Sequence, residues 1–67
     1  MTEFIYMLLQ DGAEWEDMIL LLDKEEAINA SIKYYKMRVE IFKRKENDVG
    51  YTPTYNYYKN GNLINNS

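Results

Sequence analysis

The chain has 67 residues, of which 46% are hydrophobic, 15% aromatic and 28% charged, and it contains no cysteine and no histidine. This composition excludes disulfides and zinc sites built from cysteine or histidine. It also removes the commonest general base and the best nucleophile from any catalytic scheme. We therefore expect one domain over residues 1–67, with no cofactor and no enzymatic activity. A domain of about 60 residues has a small core, so support from a partner is expected.

Charge is distributed unevenly along the chain, although the net value is only −3. Residues 1–32 contain eight acidic residues and one lysine, which gives −7, whereas residues 33–67 contain seven basic and three acidic residues, which gives +4. Such asymmetry is typical of a nucleic-acid or membrane patch, or of two surfaces that attract each other between copies. The alternative is that the two halves interleave in the fold and the charges mix.

The first third of the chain predicts two strands. Residues Thr2 to Gln10 are apolar at both alternating sets of positions, and Trp15 to Leu22 form a second such segment after the turn signal Asp11-Gly12. A strand that is apolar on both faces must be covered on both faces. Because only one helix is expected within the chain, we expect the second cover to come from a partner.

The clearest local signal is a helix that begins after Asp23. This residue can cap the free amides of the first turn, Glu26 occupies the third helical position, and Leu22 can pack on Ala27 as a hydrophobic staple. The helix is predicted from Lys24 to about Tyr35. Its buried stripe is predicted to contain Ala27, Ile28, Ser31, Ile32 and Tyr35.

The second half predicts two further strands and a hairpin. Met37 to Lys45 alternate regularly, and Tyr51 to Lys59 are rich in tyrosine and threonine. Pro53 lacks an amide hydrogen and so favours an edge position or an irregular start. Asn60-Gly61 is a strong type I′ turn signal, so a short terminal strand can fold back. Residues 65–67 are expected to fray.

These elements predict an α+β fold, with a small antiparallel sheet in β-β-α-β-β order, one helix on one face and room for a short fifth strand. Sheet-on-sheet packing of two copies would cover the second face. We therefore predict a homodimer or higher assembly of a structural or interaction protein. The predicted dimer interface contains Phe4, Tyr6, Leu8, Leu20, Phe42, Tyr55 and Tyr57.

Two alternatives use the charged halves instead. Lys43, Arg44, Lys45 and Lys59 lie near the C-terminal tyrosines, and aromatic rings beside basic groups suit single-stranded nucleic acid in packaging. Against this, no known nucleic-acid-binding signature occurs and the pI is about 4.8. The second alternative is a host-directed effector that binds a protein through its acidic N-terminal half.

The apolar runs are shorter than the 18 or so residues that a membrane helix needs, and no basic segment precedes them. We therefore expect a protein that is neither secreted nor in a membrane.

The chain resembles small virion or early-infection proteins of the large DNA viruses of amoebae, the marseillevirus group in particular. The resemblance is in the segments MTEFIYMLLQDGAEWEDM at residues 1–18, LLLDKEEAI at 20–28 and YTPTYNYYKNGNLIN at 51–65. It implies an abundant, non-enzymatic, self-associating particle component, located in the virion or inside the host cell, with itself and another virion or host protein as partners.

Overall fold

Five strands form one antiparallel sheet, and a single helix lies on one of its faces. The computed structural model describes residues 1–66. The elements are β1 (Glu3–Leu9), β2 (Ile19–Leu21), α1 (Lys24–Lys33), β3 (Arg38–Arg44), β4 (Thr52–Lys59) and β5 (Asn62–Ile64). The predicted α+β class, the β-β-α-β-β order and the short fifth strand are confirmed. The tail predicted to fray includes Ser67, which lies outside the described residues.

The strand order in the sheet is β2-β1-β3-β4-β5, so β1 and β3 are central and β2 and β5 form the edges. All four pairings are antiparallel. The chain passes from β2 to β3 through α1, which crosses over β1. This crossing explains why the helix packs on one face and leaves the other open.

The second strand is shorter than the sequence predicts. Trp15–Asp17 form a 3-10 helix, in which the Asp17 amide donates to the Glu14 carbonyl at 2.9 Å, and only Ile19–Leu21 pair with β1. The acidic residues Glu14, Glu16 and Asp17 are poor strand formers. They therefore form a solvated turn before the apolar strand begins.

The helix begins as the sequence predicts and ends earlier. The Asp23 carboxylate accepts a hydrogen bond from the Glu26 amide at 3.1 Å, so Asp23 is the N-cap. The helix ends at Lys33, with Tyr34 as its C-cap, and Tyr35 is exposed rather than part of the buried stripe. Leu22 is largely exposed, so the predicted staple does not bury it.

The core lies between the helix and the face of the sheet beneath it. Its buried residues are Tyr6, Leu8, Leu21, Ala27, Val39, Ile41 and Tyr58, together with Ser31. The two helical members, Ala27 and Ser31, are fully buried and small, which brings the helix backbone close to the sheet. The larger Tyr6 and Tyr58 fill the space beside it, with ring centroids 6.4 Å apart.

A side-chain hydroxyl ties the helix to the C-terminal hairpin. Ser31 Oγ donates to the Ile28 carbonyl at 2.7 Å and accepts from the Gly61 amide at 2.9 Å. Asn60 and Gly61 both have positive φ, as the predicted type I′ turn requires. An added Cβ at Gly61 would lie 3.0 Å from Ile32 Cγ1, so the turn also packs closely on the helix.

Candidate functional site

The face of the sheet opposite the helix carries apolar side chains on all five strands, interrupted on the central strand β3 by charged residues. Side chains alternate between faces along a strand, and the register places Met7 beside Leu20 and Glu40, and Phe42 beside Ile5. We call this surface the open face. Its apolar residues are Ile5, Met7, Leu9, Leu20, Phe42, Tyr57 and Ile64.

Charged side chains at one end of the open face pair with each other. Arg38 Nε donates to Glu40 Oε2 at 2.7 Å, and Arg38 Nη1 donates to the Asp11 carboxylate. The hydrogen bond that Arg38 donates to Glu40 raises the pKa of Arg38 above its ordinary value, so the guanidinium stays charged. Lys59 Nζ donates to the Met37 carbonyl at 3.1 Å. This end of the face therefore carries charges of both signs, with Arg38 held between two carboxylates.

The same charged groups line a depression of about 390 Å³. Its lining residues are Leu9, Asp11, Lys36, Arg38, Glu40, Tyr57, Lys59 and Asn66. A volume of this size is at the lower end for small-molecule sites. Arg38 is bound by two carboxylates within this depression, which forms a polar rim beside the open face.

A second polar contact lies at the opposite end of the sheet. The Tyr51 hydroxyl donates to Glu3 Oε2 at 2.9 Å, and this bond raises the pKa of Tyr51. Glu3 itself lies opposite Arg44 in the β1 and β3 pairing. Both ends of the open face therefore carry charges of both signs.

The residues predicted for a dimer interface divide between the two faces. Leu20, Phe42 and Tyr57 lie on the open face. Phe4, Tyr6 and Leu8 lie on the helix side instead, and there Tyr6 and Leu8 are buried in the core of the single chain. The residues of β1 on the open face are Ile5, Met7 and Leu9. Both alternating sets of β1 are apolar, so the sequence pattern could not distinguish them.

Tyr55 lies in a bulge that the sequence did not reveal. The pairing of β3 with β4 places Thr54, Tyr55 and Asn56 opposite the single residue Ile41. Thr54 Oγ1 donates to the Ile41 carbonyl at 2.9 Å and accepts from the Asn56 amide at 3.1 Å. Tyr55 has φ of 67° and is 66% exposed. Nearby Pro53 is the only sequence signal of irregularity here.

The structure does not gather the predicted nucleic-acid residues into one surface. Lys43 and Arg44 are consecutive in β3 and so point to opposite faces. Thr52 pairs with Lys43 at one end of β4, whereas Lys59 is at the other end. The four basic residues therefore lie at two ends and on two faces of the sheet.

Within residues 1–66, no three histidine, cysteine, aspartate or glutamate side chains are arranged to hold a metal ion. The same residues contain no helix with the length and apolar character needed to cross a membrane.

Comparison of the chain with protein-family models, with curated proteins and with solved structures finds no match. The resemblance to marseillevirus proteins therefore stays a prediction.

Proposed function

We propose that the protein is a non-enzymatic interaction protein that associates with a second copy of itself through the open face. The observation that supports this proposal is the set of apolar side chains on that face, which lies on both sides of the charged residues Arg38 and Glu40 of the central strand β3. The helix and the sheet already form two layers around one core, and the apolar side chains on the other side of the sheet have no covering layer. Two open faces packed together would complete a second core, with the helices outside.

The charges of the open face favour a second copy as the partner. Arg38 pairs with both Glu40 and Asp11, the lysine Lys59 lies on the same face, and Glu3 lies opposite Arg44, so charges of both signs are present on this face. A second copy therefore meets no net repulsion, whereas a strongly charged partner gains little attraction. The particle role implied by the resemblance is an extension of this proposal.

A matched pair of substitutions in β5 tests the proposal. Ile64 is on the open face because it pairs with Tyr57, and its neighbour Leu63 is on the helix side because it pairs with Tyr58. We expect Ile64→Lys to shift the protein from dimer to monomer, because a lysine there must lose its water at the interface. We expect Leu63→Lys to leave the dimer intact. Sedimentation equilibrium over a range of micromolar concentrations measures both variants.

Circular dichroism of the two variants checks that both are folded, so that a loss of dimer is not a loss of fold. The proposal is overturned if the unchanged protein sediments as a monomer of 8.1 kDa throughout this range. It is also overturned if both lysine variants weaken the dimer equally, because the interface would then not be the open face.

A further inference from the structure

The two sides of the sheet differ in how much of their exposed edge is protected against strand addition, although the short strand β5 itself contains no charged residue, proline or bulge. On the side of the sheet where β5 lies, the part of β4 that does not pair with β5 is interrupted. It contains the Thr54–Asn56 bulge and Pro53, which lacks an amide hydrogen. The Asn66 amide also donates to the Asn56 side chain at 3.1 Å. Bulges and prolines are devices that prevent edge pairing in natural proteins.

The edge at β2 has no such device. Its only neighbour in the sheet is β1, and no charged residue or proline occurs from Met18 to Leu22. Ile19 is 52% exposed, Leu20 is 58% exposed and Leu22 is 78% exposed. An edge strand leaves alternate backbone amides and carbonyls unpaired. The β2 edge therefore has both exposed apolar side chains on its two faces and unpaired backbone groups that can bind another strand.

The extended segment at this edge is longer than the three residues paired with β1. Met18 has φ and ψ of −88° and 141°, and Asp23 has −112° and 133°, so both flanking residues are also extended. The segment from Met18 to Asp23, with the strand Ile19–Leu21 inside it, spans at most about 20 Å. This length is sufficient for an added strand of ordinary size.

Acidic residues flank the apolar edge on both sides. Six exposed carboxylates lie before and after β2 in the sequence. Lys24 is the only basic residue in this part of the sequence. None of the six forms an ion pair within residues 1–66. The carboxylates are those of Glu14, Glu16, Asp17, Asp23, Glu25 and Glu26.

We propose that the β2 edge binds an extended apolar segment of another protein, with basic residues at both ends of that segment. The added strand would pair with the free backbone groups of β2, and its basic ends would meet the flanking carboxylates. This inference goes beyond the proposed self-association, because it uses the edge of the sheet and not the open face.

Charge argues against a second copy at this edge. In an antiparallel pair centred on Leu20, Asp17 at the end of the 3-10 helix would lie near Asp23 of the second copy at both ends of the pair. Like charges brought close together in this way destabilise the pair. A partner with basic flanks replaces this repulsion with attraction.

Two labelled peptides test the proposal by fluorescence polarisation at low ionic strength. Both contain alternating threonine and valine over about five residues, the length of a typical strand. One has two lysines at each end and the other has two glutamates. We expect the lysine peptide to bind about tenfold or more tightly than the glutamate peptide, and salt to reduce the difference. A lysine peptide with alternate backbone amides methylated should not bind, because it cannot pair with β2.

A matched pair of protein variants locates the binding site. Ile19 and Leu63 lie on the same face at opposite edges of the sheet, and they are 52% and 51% exposed. We expect Ile19→Lys to weaken binding of the lysine peptide about tenfold, and Leu63→Lys to leave it unchanged. Backbone amide shifts should map to residues 18–23. Both variants are made in the Ile64→Lys background, so that self-association does not affect the result.

The proposal is overturned if the two peptides bind equally, if the methylated peptide binds as well as its parent, or if the amide shifts map to residues 62–64. It is also overturned if Ile19→Lys abolishes self-association in the otherwise unchanged protein while the lysine peptide does not bind. The edge would then be an interface between copies. Failure of the open-face proposal alone would leave the peptide result unaffected.

Discussion

The two faces of the sheet are built from the same five strands and yet differ in what covers them. On the covered face, Ala27 and Ser31 bring the helix close enough to bury Val39 completely. On the open face, Met7 and Phe42 keep part of their surface in water. One ten-residue helix buries the centre of one side of the five-stranded sheet, and apolar side chains at the margins of that side stay about half exposed. The remaining apolar side is what a partner would bury.

The largest expected effect compares neighbouring residues of β1 on the two faces. Leu8 is buried beneath the helix, and Met7 is on the open face. We expect Leu8→Ala to lower the free energy of unfolding by about 2–5 kcal/mol. This is a large part of the roughly 3–10 kcal/mol typical of a chain this size. Urea unfolding at low protein concentration should show a change below about 1 kcal/mol for Met7→Ala.

The same two variants, measured at several protein concentrations, also test self-association. If open faces pack together, Met7 becomes buried in the dimer. The loss of unfolding free energy caused by Met7→Ala should then increase with protein concentration. The cost of Leu8→Ala should not rise in this way, because Leu8 is already buried in the single chain. If the difference in unfolding free energy between the two variants does not change with protein concentration, this result would contradict self-association through this face.

A smaller effect is expected from the hydrogen bond that holds the covering helix to the hairpin. Ser31→Ala removes the acceptor of the Gly61 amide and leaves that amide without its partner. We expect a loss of about 1–3 kcal/mol of unfolding free energy. Asn29→Ala, on the exposed side of the same helix, is the control. Amide exchange at Gly61 should accelerate in the serine variant and stay unchanged in the asparagine variant.

The features that the sequence predicts correctly are local ones. The Asp23 cap and the Asn60-Gly61 turn each depend on hydrogen bonds and backbone angles within a few residues. The order of the elements follows because each is marked by its own residues. The alternating pattern of β3 also placed Val39 and Ile41 on one buried face.

The features that the sequence does not predict depend on contacts between distant residues. Whether Tyr6 or Met7 faces the helix is decided by the register with β3, since both alternating sets of β1 are apolar. The bulge at Tyr55 depends on the bond from Thr54 to the Ile41 carbonyl. The separation of Lys59 from Lys43 depends on the pairing of whole strands.

The smallest expected effect concerns pH and the covered face. Burial raises the pKa of the Tyr6 hydroxyl above its ordinary value of 10.0, and the nearby Tyr58 and Asp23 raise it further. Above about pH 10 the unfolded chain therefore loses this proton before the folded protein does. The stability from neutral Tyr6 is fully present below that pH and is lost as pH rises through the folded-state value.

Tyr6→Phe removes this ionisation and keeps the ring in the core. We expect urea unfolding to show a shallower loss of stability above about pH 10 for Tyr6→Phe than for the unchanged protein. Tyr55→Phe removes an exposed phenol and is the control. An unchanged alkaline slope in Tyr6→Phe would mean that the Tyr6 hydroxyl ionises equally easily in the folded and unfolded chain, and that the covered face does not exclude water at this position.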